Sequence, residues 1–122
     1  MDGGDDPGPE EPPNVLVVCT ANICRSPMAA PLLSTALTRA GIEANVTSAG
    51  FLEGGRPAQY HAVAVMNALG VDISGHRSRQ LTRALVAQQD LILTMTRDHV
   101  RDLGLTWPDA RGRTFTFGWL AQ

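Results

Sequence analysis

Apolar residues along the chain follow two patterns, short unbroken runs and repeats at three- and four-residue spacing. The unbroken runs are residues 15–18 and 91–95, and runs of this length predict strands that are buried on both faces of a parallel sheet. Residues 45–49 predict a shorter strand, and the alternating residues 113–117 predict a further strand at the sheet edge. Four strands in one sheet are therefore expected.

Between these strands, apolar residues recur at helical spacing. Gly41 and Gly70 follow two of the periodic segments, and glycine is the usual residue just beyond a helix C-terminus. Thr82 and Thr96 are suited to cap the other two helices at their N-termini. The alternation of strands and helices indicates an α/β fold with a doubly wound parallel sheet, whose ligand site lies at the carboxyl ends of the strands. The predicted helices cover residues 28–40, 58–69, 82–89 and 96–103.

Charge is distributed unevenly along the 122 residues. Residues 1–13 contain five of the twelve acidic residues, no basic residue and many glycines and prolines, which predicts a disordered leader. Residues 14–122 are expected to form one domain, with all ten arginines against seven acidic residues. No apolar run is long enough to span a membrane and no signal-peptide pattern begins the chain. A cytoplasmic protein without a membrane partner is expected.

The cysteines and histidines argue against a disulfide framework and against a metal site. Cys19 and Cys24 lie five positions apart beside an arginine, which is not the spacing of a small secreted scaffold. His61, His76 and His99 show no metal-ligand spacing. The prediction is therefore a protein with no metal and no other cofactor, and nothing in the charge pattern indicates a nucleic-acid partner.

The candidate chemistry is concentrated where the first strand meets the first helix. Cys19 ends the predicted strand, while Ser26 as N-cap and Pro27 at the first helical position are expected to open the helix. A loop that enters a helix N-terminus directs several backbone N–H groups inward and forms an anion site. Arg25 adds a guanidinium group that matches tetrahedral oxyanions. This segment predicts a phosphate-binding loop.

A thiol at the floor of such a loop is suited to attack phosphorus. The positive surroundings favour the thiolate of Cys19, which is the nucleophilic form, and Ser26 can hydrogen-bond the sulfur and improve it as a leaving group. The alternative is that Cys19 is an inert core residue at the end of a strand. The Arg-Ser pair at this spacing favours the catalytic interpretation.

The stretch CTANICRSPMA resembles the signature of the low-molecular-weight protein tyrosine phosphatases. That family usually shows C-x-G-N-x-C-R-S-P, so Ala21 stands where glycine is commoner. The stretches TSAG (47–50), GVDISGHRSRQL (70–81) and DLILTMTRDHV (90–100) also resemble family segments. The resemblance implies a parallel four-stranded sheet in the order 2-1-3-4, flanked by helices, with the phosphate loop after the first strand.

The resemblance also implies roles for individual residues. Cys19 would form a cysteinyl-phosphate with help from Ser26, and Asn22 would brace the loop in an unusual backbone conformation. His76 matches a family histidine that supports the loop asparagine, and residues 51–55 match the rim that selects substrate. Cys24 is expected to form a reversible disulfide with Cys19 after mild oxidation. The phosphate-binding residues would be Thr20, Ala21, Asn22, Ile23, Cys24 and Arg25.

The resemblance departs at the carboxyl end of the chain. The family places its general acid in an Asp-Pro-aromatic loop after the fourth strand and before a last helix, whereas this sequence continues only to FTFGWLAQ. The domain over residues 14–122 is therefore expected to lack that loop and that helix. Asp109 precedes the fourth strand and is interpreted as a turn residue, which leaves the general acid unassigned.

Three functions are considered on these grounds. The leading one is a protein-tyrosine-phosphatase-like hydrolase that acts on a phosphorylated protein or a small aryl phosphate and releases inorganic phosphate. An arsenate reductase on the same fold is an alternative, but the thioredoxin-coupled type needs two further cysteines, and none follows Cys24. A non-catalytic oxyanion-binding protein is favoured only by the missing acid.

Overall fold

The computed structural model describes residues 11–120, which form one parallel sheet flanked by helices. The strands are β1 (Asn14–Cys19), β2 (Asn45–Gly50), β3 (Leu91–Thr94) and β4 (Thr114–Thr116). The helices are α1 (Arg25–Arg39), α2 (Tyr60–Ala68), α3 (Arg83–Ala87), α4 (Arg97–Thr106) and α5 (Phe117–Leu120), and a 3₁₀ helix covers Pro108–Arg113.

The sheet has the strand order β2-β1-β3-β4, and every pairing is parallel. β1 lies between two neighbouring strands, and both faces of the sheet are covered at β1, since the consecutive residues Leu16, Val17 and Val18 are all fully buried. The register pairs Cys19 at the end of β1 with Gly50 at the end of β2. The carboxyl ends of the two strands therefore meet at the point where the loop into α1 begins.

Helices cover the sheet and divide the core into two parts. Helix α1 packs on β1 and β2, while α4 packs on β3 and β4. The main cluster includes Leu16 and Ile92 from the strands and Leu103 from α4, and the smaller cluster is centred on Met66 of α2. The loop between Cys19 and Arg25 therefore starts from a strand that is buried in this core.

The predicted fold class and strand order are confirmed. Thr82 and Thr96 cap α3 and α4 as expected, since their side chains accept hydrogen bonds from the N–H groups of Leu85 and His99. Gly41 and Gly70 follow α1 and α2 with φ values of 77° and 80°, the left-handed conformation that closes a helix. The fourth strand is shorter than predicted.

The predicted start of the first helix is wrong. The helix begins at Arg25 with Cys24 as its N-cap, and no side chain caps it. Ser26 is instead a fully buried helical residue whose hydroxyl contacts Cys19 and Asn22. A serine whose hydroxyl is used in this way cannot also cap the helix that contains it, so a local capping pattern is overridden by the packing of the loop.

Residues 1–10 of the predicted leader lie outside the described residues. Residues 11–13 approach β1, and the carbonyl of Pro13 accepts a hydrogen bond from the N–H of Asn45 at 2.8 Å. None of the helices within residues 11–120 combines the length and the apolar character that a membrane crossing requires.

Candidate active site

Cys19 lies at the end of the central strand, at the floor of the loop that leads into α1. The residue is 4% exposed, and its sulfur accepts a hydrogen bond from the backbone N–H of Asn22 at 3.2 Å. The sulfur atom therefore ends a buried strand within hydrogen-bond distance of a backbone N–H group of the loop.

Asn22 holds the loop in a strained conformation. Its φ of 59° is the single positive value outside glycine among the residues that the structure describes, and asparagine tolerates this left-handed region better than most residues. The side chain is fully buried, and its carbonyl oxygen accepts a hydrogen bond from the N–H of Arg79 at 2.9 Å. That bond fixes which end of the amide is oxygen, and so directs the amide nitrogen towards Ser26.

A chain of hydrogen bonds ends on the sulfur of Cys19. The Asn22 Nδ2 donates to Ser26 Oγ at 2.7 Å, and Ser26 Oγ lies 3.0 Å from Cys19 Sγ. An amide NH₂ group can only donate and a thiolate can only accept, so in the thiolate state the hydroxyl proton of Ser26 points to the sulfur. The negative charge is therefore stabilised by one O–H and one N–H donor.

His76 supports the loop from the outside. Its Nε2 lies 2.7 Å from the backbone oxygen of Asn22. Since a carbonyl oxygen can only accept, the ring carries its proton on Nε2. The strained residue is thus held through its side chain by Arg79 and through its carbonyl by His76.

The end of β2 packs directly under the loop. The carbonyl of Thr20 accepts hydrogen bonds from the N–H groups of Phe51 at 2.7 Å and Leu52 at 3.1 Å. A Cβ atom on Gly50 would lie 2.7 Å from the Thr20 oxygen and 2.9 Å from the Asn22 nitrogen. Glycine at position 50 is therefore required by the close approach of two backbone segments.

The remaining loop residues are partly accessible to solvent. Ala21, Ile23 and Cys24 are half-buried, and Arg25 is exposed at the first position of α1. The carbonyl of Ile23 accepts a hydrogen bond from the N–H of Gln59 at 2.6 Å. Within residues 11–120, no carboxylate lies within ion-pair distance of Arg25, so its guanidinium is available to an anionic ligand.

Two other features bear on the chemistry of the site. The described part of the chain contains no cluster of three or more histidines, cysteines or carboxylates suited to hold a metal ion. Asp109 lies in the 3₁₀ helix directly before β4, at the amino ends of the parallel strands. Cys19 lies at their carboxyl ends, so Asp109 and Cys19 lie at opposite ends of the parallel strands.

Comparison with known proteins identifies the family. The family model described as low molecular weight phosphotyrosine protein phosphatase matches residues 14–118. This chain belongs to that family. The match includes the whole phosphate loop and extends through all four strands.

Individual members of the family are similar to this chain over most of their length. The probable low molecular weight protein-tyrosine-phosphatase EpsP of Ralstonia solanacearum is 44% identical over 108 residues, which are 88% of this chain and 72% of EpsP. The structure of Vibrio vulnificus Wzb in complex with benzylphosphonate has a TM-score of 0.80 and 39% identity, over 91% of this chain and 77% of that one. The structure of YwlE arginine phosphatase from Geobacillus stearothermophilus has a TM-score of 0.75 and 36% identity, over 86% of this chain and 66% of that one.

Most of the predicted site residues of this family member lie together. Cys19, Asn22 and Ser26 form one hydrogen-bonded group, and His76 contacts the backbone oxygen of Asn22. The catalytic and phosphate-binding roles of these residues stay predictions, and so does the redox role of Cys24, which is a free, half-buried thiol.

Arg79, Gly50 and His99 contact the loop but were not predicted as site residues from the sequence. His99, in the first turn of α4, has its Nε2 2.9 Å from the hydroxyl oxygen of Thr20. Burial lowers the pKa of His99 below its ordinary value of 6.5, and the nearby Arg25 lowers that pKa further, against the opposing effect of Asp102 and Asp98. The contact between His99 and Thr20 joins residues that are 79 positions apart, so no local sequence pattern predicts it.

Proposed function

We propose that this family member hydrolyses aryl phosphate monoesters, and in particular phosphotyrosine on proteins, through a cysteinyl-phosphate on Cys19. The observation that carries the proposal is the sulfur of Cys19 itself, which ends a buried strand inside a loop with donors from Asn22 and Ser26. The benzylphosphonate in the structure of Vibrio vulnificus Wzb combines an aromatic ring with a phosphorus oxyanion, which supports an aryl phosphate as the substrate class.

The proposed reaction proceeds in two displacements at phosphorus. The Cys19 thiolate attacks, the S–P bond forms, and the P–O bond to the aryl group breaks, so that the released phenoxide takes up a proton. Water then attacks the phosphorus, the S–P bond breaks, and inorganic phosphate leaves. Arg25 and the backbone N–H groups of residues 20–25 stabilise the phosphoryl oxygens in both steps.

Ser26 and Asn22 act mainly in the second displacement. The sulfur regains its negative charge as the S–P bond breaks, and the hydroxyl proton of Ser26 is already directed to it. A preorganised donor costs no rearrangement at the moment when the charge develops. His76 and Arg79 contribute by holding Asn22, from which the Ser26 hydroxyl takes its orientation.

The proposal includes a phosphorylated protein as partner and a cytoplasmic setting. Two cysteines that are not joined by a disulfide suit a reducing compartment. The arsenate reductase and non-catalytic alternatives are not favoured, since the comparisons point to phosphatases. Phosphoarginine is the competing substrate class, because a structural neighbour is an arginine phosphatase.

The test is turnover of p-nitrophenyl phosphate, a phosphotyrosine peptide and free phosphoarginine by wild type and Cys19→Ser. The variant should lose turnover and keep its affinity for vanadate, because a hydroxyl is a poor nucleophile in an intact loop. Retention of about a tenth of the wild-type rate by Cys19→Ser would show that the nucleophile is wrongly assigned. Faster hydrolysis of phosphoarginine than of phosphotyrosine would move the proposal to that substrate class.

A further inference from the structure

His99 is a buried titratable side chain that the proposed reaction does not use. It belongs to the first turn of α4, where its backbone N–H donates to the hydroxyl oxygen of the capping residue Thr96 at 3.2 Å. The residue is 7% exposed. Its ring packs against Phe51, with ring centroids 5.3 Å apart and planes inclined by 31°. Two different elements of the fold therefore hold this ring beside the phosphate loop.

The two ring nitrogens of His99 have different surroundings. Nε2 lies 2.9 Å from Thr20 Oγ1, whereas Nδ1 is buried and has no hydrogen-bond partner among the described residues. A buried N–H without an acceptor costs more than an unused ring lone pair, so the proton belongs on Nε2. In that tautomer Nε2–H donates and Thr20 Oγ1 accepts.

The charges that face His99 agree with a neutral ring. Arg25 of α1 opposes protonation, while Asp98 and Asp102 of α4 favour it and are exposed. A protonated ring would also carry a second buried N–H, on Nδ1, without an acceptor. The neutral form with its proton on Nε2 satisfies the site best.

The consequence falls on Thr20, the residue directly after the nucleophile. Its carbonyl is held by the N–H groups of Phe51 and Leu52, and its side chain is held by His99. Because the Thr20 oxygen accepts from Nε2–H, its own hydroxyl proton is not used by His99 and is available to another acceptor. Thr20 is exposed, so a bound phosphate ester or solvent can be that acceptor.

The geometry points to His99 as a positioning residue that acts through Thr20: by donating from Nε2 it fixes the hydroxyl of Thr20 so that the hydroxyl proton faces the bound phosphate ester. This inference rests on the proposed function and adds a substrate donor to it. It also links helix α4 to the phosphate loop, through a residue that contacts neither Cys19 nor Ser26 by a hydrogen bond.

The tautomer can be tested without substrate. Long-range ¹H–¹⁵N correlation spectra of the whole chain should show a pyrrole-type Nε2 and a pyridine-type Nδ1 for His99. The signals are assigned by comparison with His99→Gln, with His61→Gln as the matched control on an exposed histidine. Thr20→Val should shift the His99 nitrogens and leave those of His61 in place. A protonated Nδ1 with an unprotonated Nε2 would overturn the inference.

Kinetics test whether the contact acts through Thr20. His99→Phe keeps a ring against Phe51 but removes the donor, and should lower kcat/KM for p-nitrophenyl phosphate by about fivefold, as expected for one hydrogen bond. His99→Gln should restore most of that loss, since its amide nitrogen can donate. Thr20→Val should cost a similar factor, and Thr20→Ser should cost less. The His99→Phe, Thr20→Val double variant should be no worse than the poorer single variant.

If the losses in kcat/KM of the two single variants multiplied in the double variant, the role of the hydrogen bond would be overturned. A His99→Gln variant as impaired as His99→Phe would overturn it as well. If His99→Phe does not fold, His99→Gln, the Thr20 variants and the spectra decide the question. A wild-type chain that hydrolysed no phosphate ester would refute the proposed function instead. The tautomer, and the affinity of the Thr20 and His99 variants for inorganic phosphate, would then still test the His99–Thr20 link.

Discussion

The hydroxyl oxygen of Ser26 lies 3.0 Å from the sulfur of Cys19, seven residues earlier in the chain. The oxygen already accepts a hydrogen bond from the side-chain amide of Asn22 at 2.7 Å, so its proton is directed to the thiolate. Both Ser26 and Asn22 are completely buried. The sulfur is therefore stabilised by donors whose orientation is set before substrate binds, and water is excluded from them.

Ser26→Ala should slow the breakdown of the cysteinyl-phosphate more than its formation, because the sulfur then leaves without its O–H donor. A fall in kcat of about tenfold or more is expected for one hydrogen bond to a charged group. Rapid-quench measurements with p-nitrophenyl phosphate should show a burst of p-nitrophenol in the variant. Thr35→Ala, an exposed position on the same helix, is the control. An unchanged kcat without a burst would mean that Ser26 does not assist the second step.

Gly50→Ala should damage both stability and activity, although position 50 carries no catalytic group. The added Cβ would meet the Thr20 carbonyl at 2.7 Å and the Asn22 N–H at 2.9 Å, and neither backbone atom can move without moving the loop. A loss of about 1–3 kcal/mol in the free energy of unfolding is expected from such overpacking. Phosphate affinity should fall as well, since the loop must shift.

The matched control for Gly50→Ala is Gly112→Ala, where an added Cβ meets nothing within 4 Å. Urea unfolding and inhibition by inorganic phosphate should distinguish the two variants clearly. Equal behaviour of the two would show that the loop accommodates the methyl group, and that close packing of β2 does not determine its shape.

Residue spacing predicted the part of the site whose residues are close in the chain. Cys19, Arg25 and Ser26 lie within one strand–loop–helix segment, and the apolar runs predicted the strands that support it, whereas His76 was proposed only from the resemblance to a known family. Gly50 and His99 reach the loop through strand order and helix packing, and residue spacing does not encode such contacts. Ser26 illustrates the converse error, because its local pattern indicated a helix cap while the folded site uses its hydroxyl elsewhere.

Stability should depend on the neutral state of His99. Its folded-state pKa is lowered below 6.5, chiefly by burial and further by Arg25, so the unfolded chain binds the proton first as the pH falls. The free energy of unfolding should therefore decrease as the pH drops through about 6.5 towards the lower folded-state pKa. His99→Gln should remove that component, which urea unfolding between about pH 7.5 and about pH 5 can measure.

His61→Gln, which changes an exposed histidine, is the reference for that comparison and should keep the wild-type slope. A wild-type stability that rose as the pH fell through this window would contradict the lowered pKa of His99. An identical slope in wild type and His99→Gln would show that another group causes the pH dependence.

Asp109 should contribute nothing to protonation of the leaving group. It lies before β4, at the amino ends of the parallel strands, whereas Cys19 lies at their carboxyl ends. A general acid typically contributes on the order of 10²–10⁴-fold, most for strongly basic leaving groups. Without that contribution, p-nitrophenyl phosphate should be hydrolysed by the 122-residue chain much faster than phenyl phosphate, because p-nitrophenolate leaves without protonation.

The measurement is kcat/KM across substituted aryl phosphates for wild type and Asp109→Asn. Both should show the same steep decline as leaving-group pKa rises. A shallow decline in wild type that steepens in the variant would identify Asp109 as the acid, and would require β4 and its preceding turn to move to the site during the reaction.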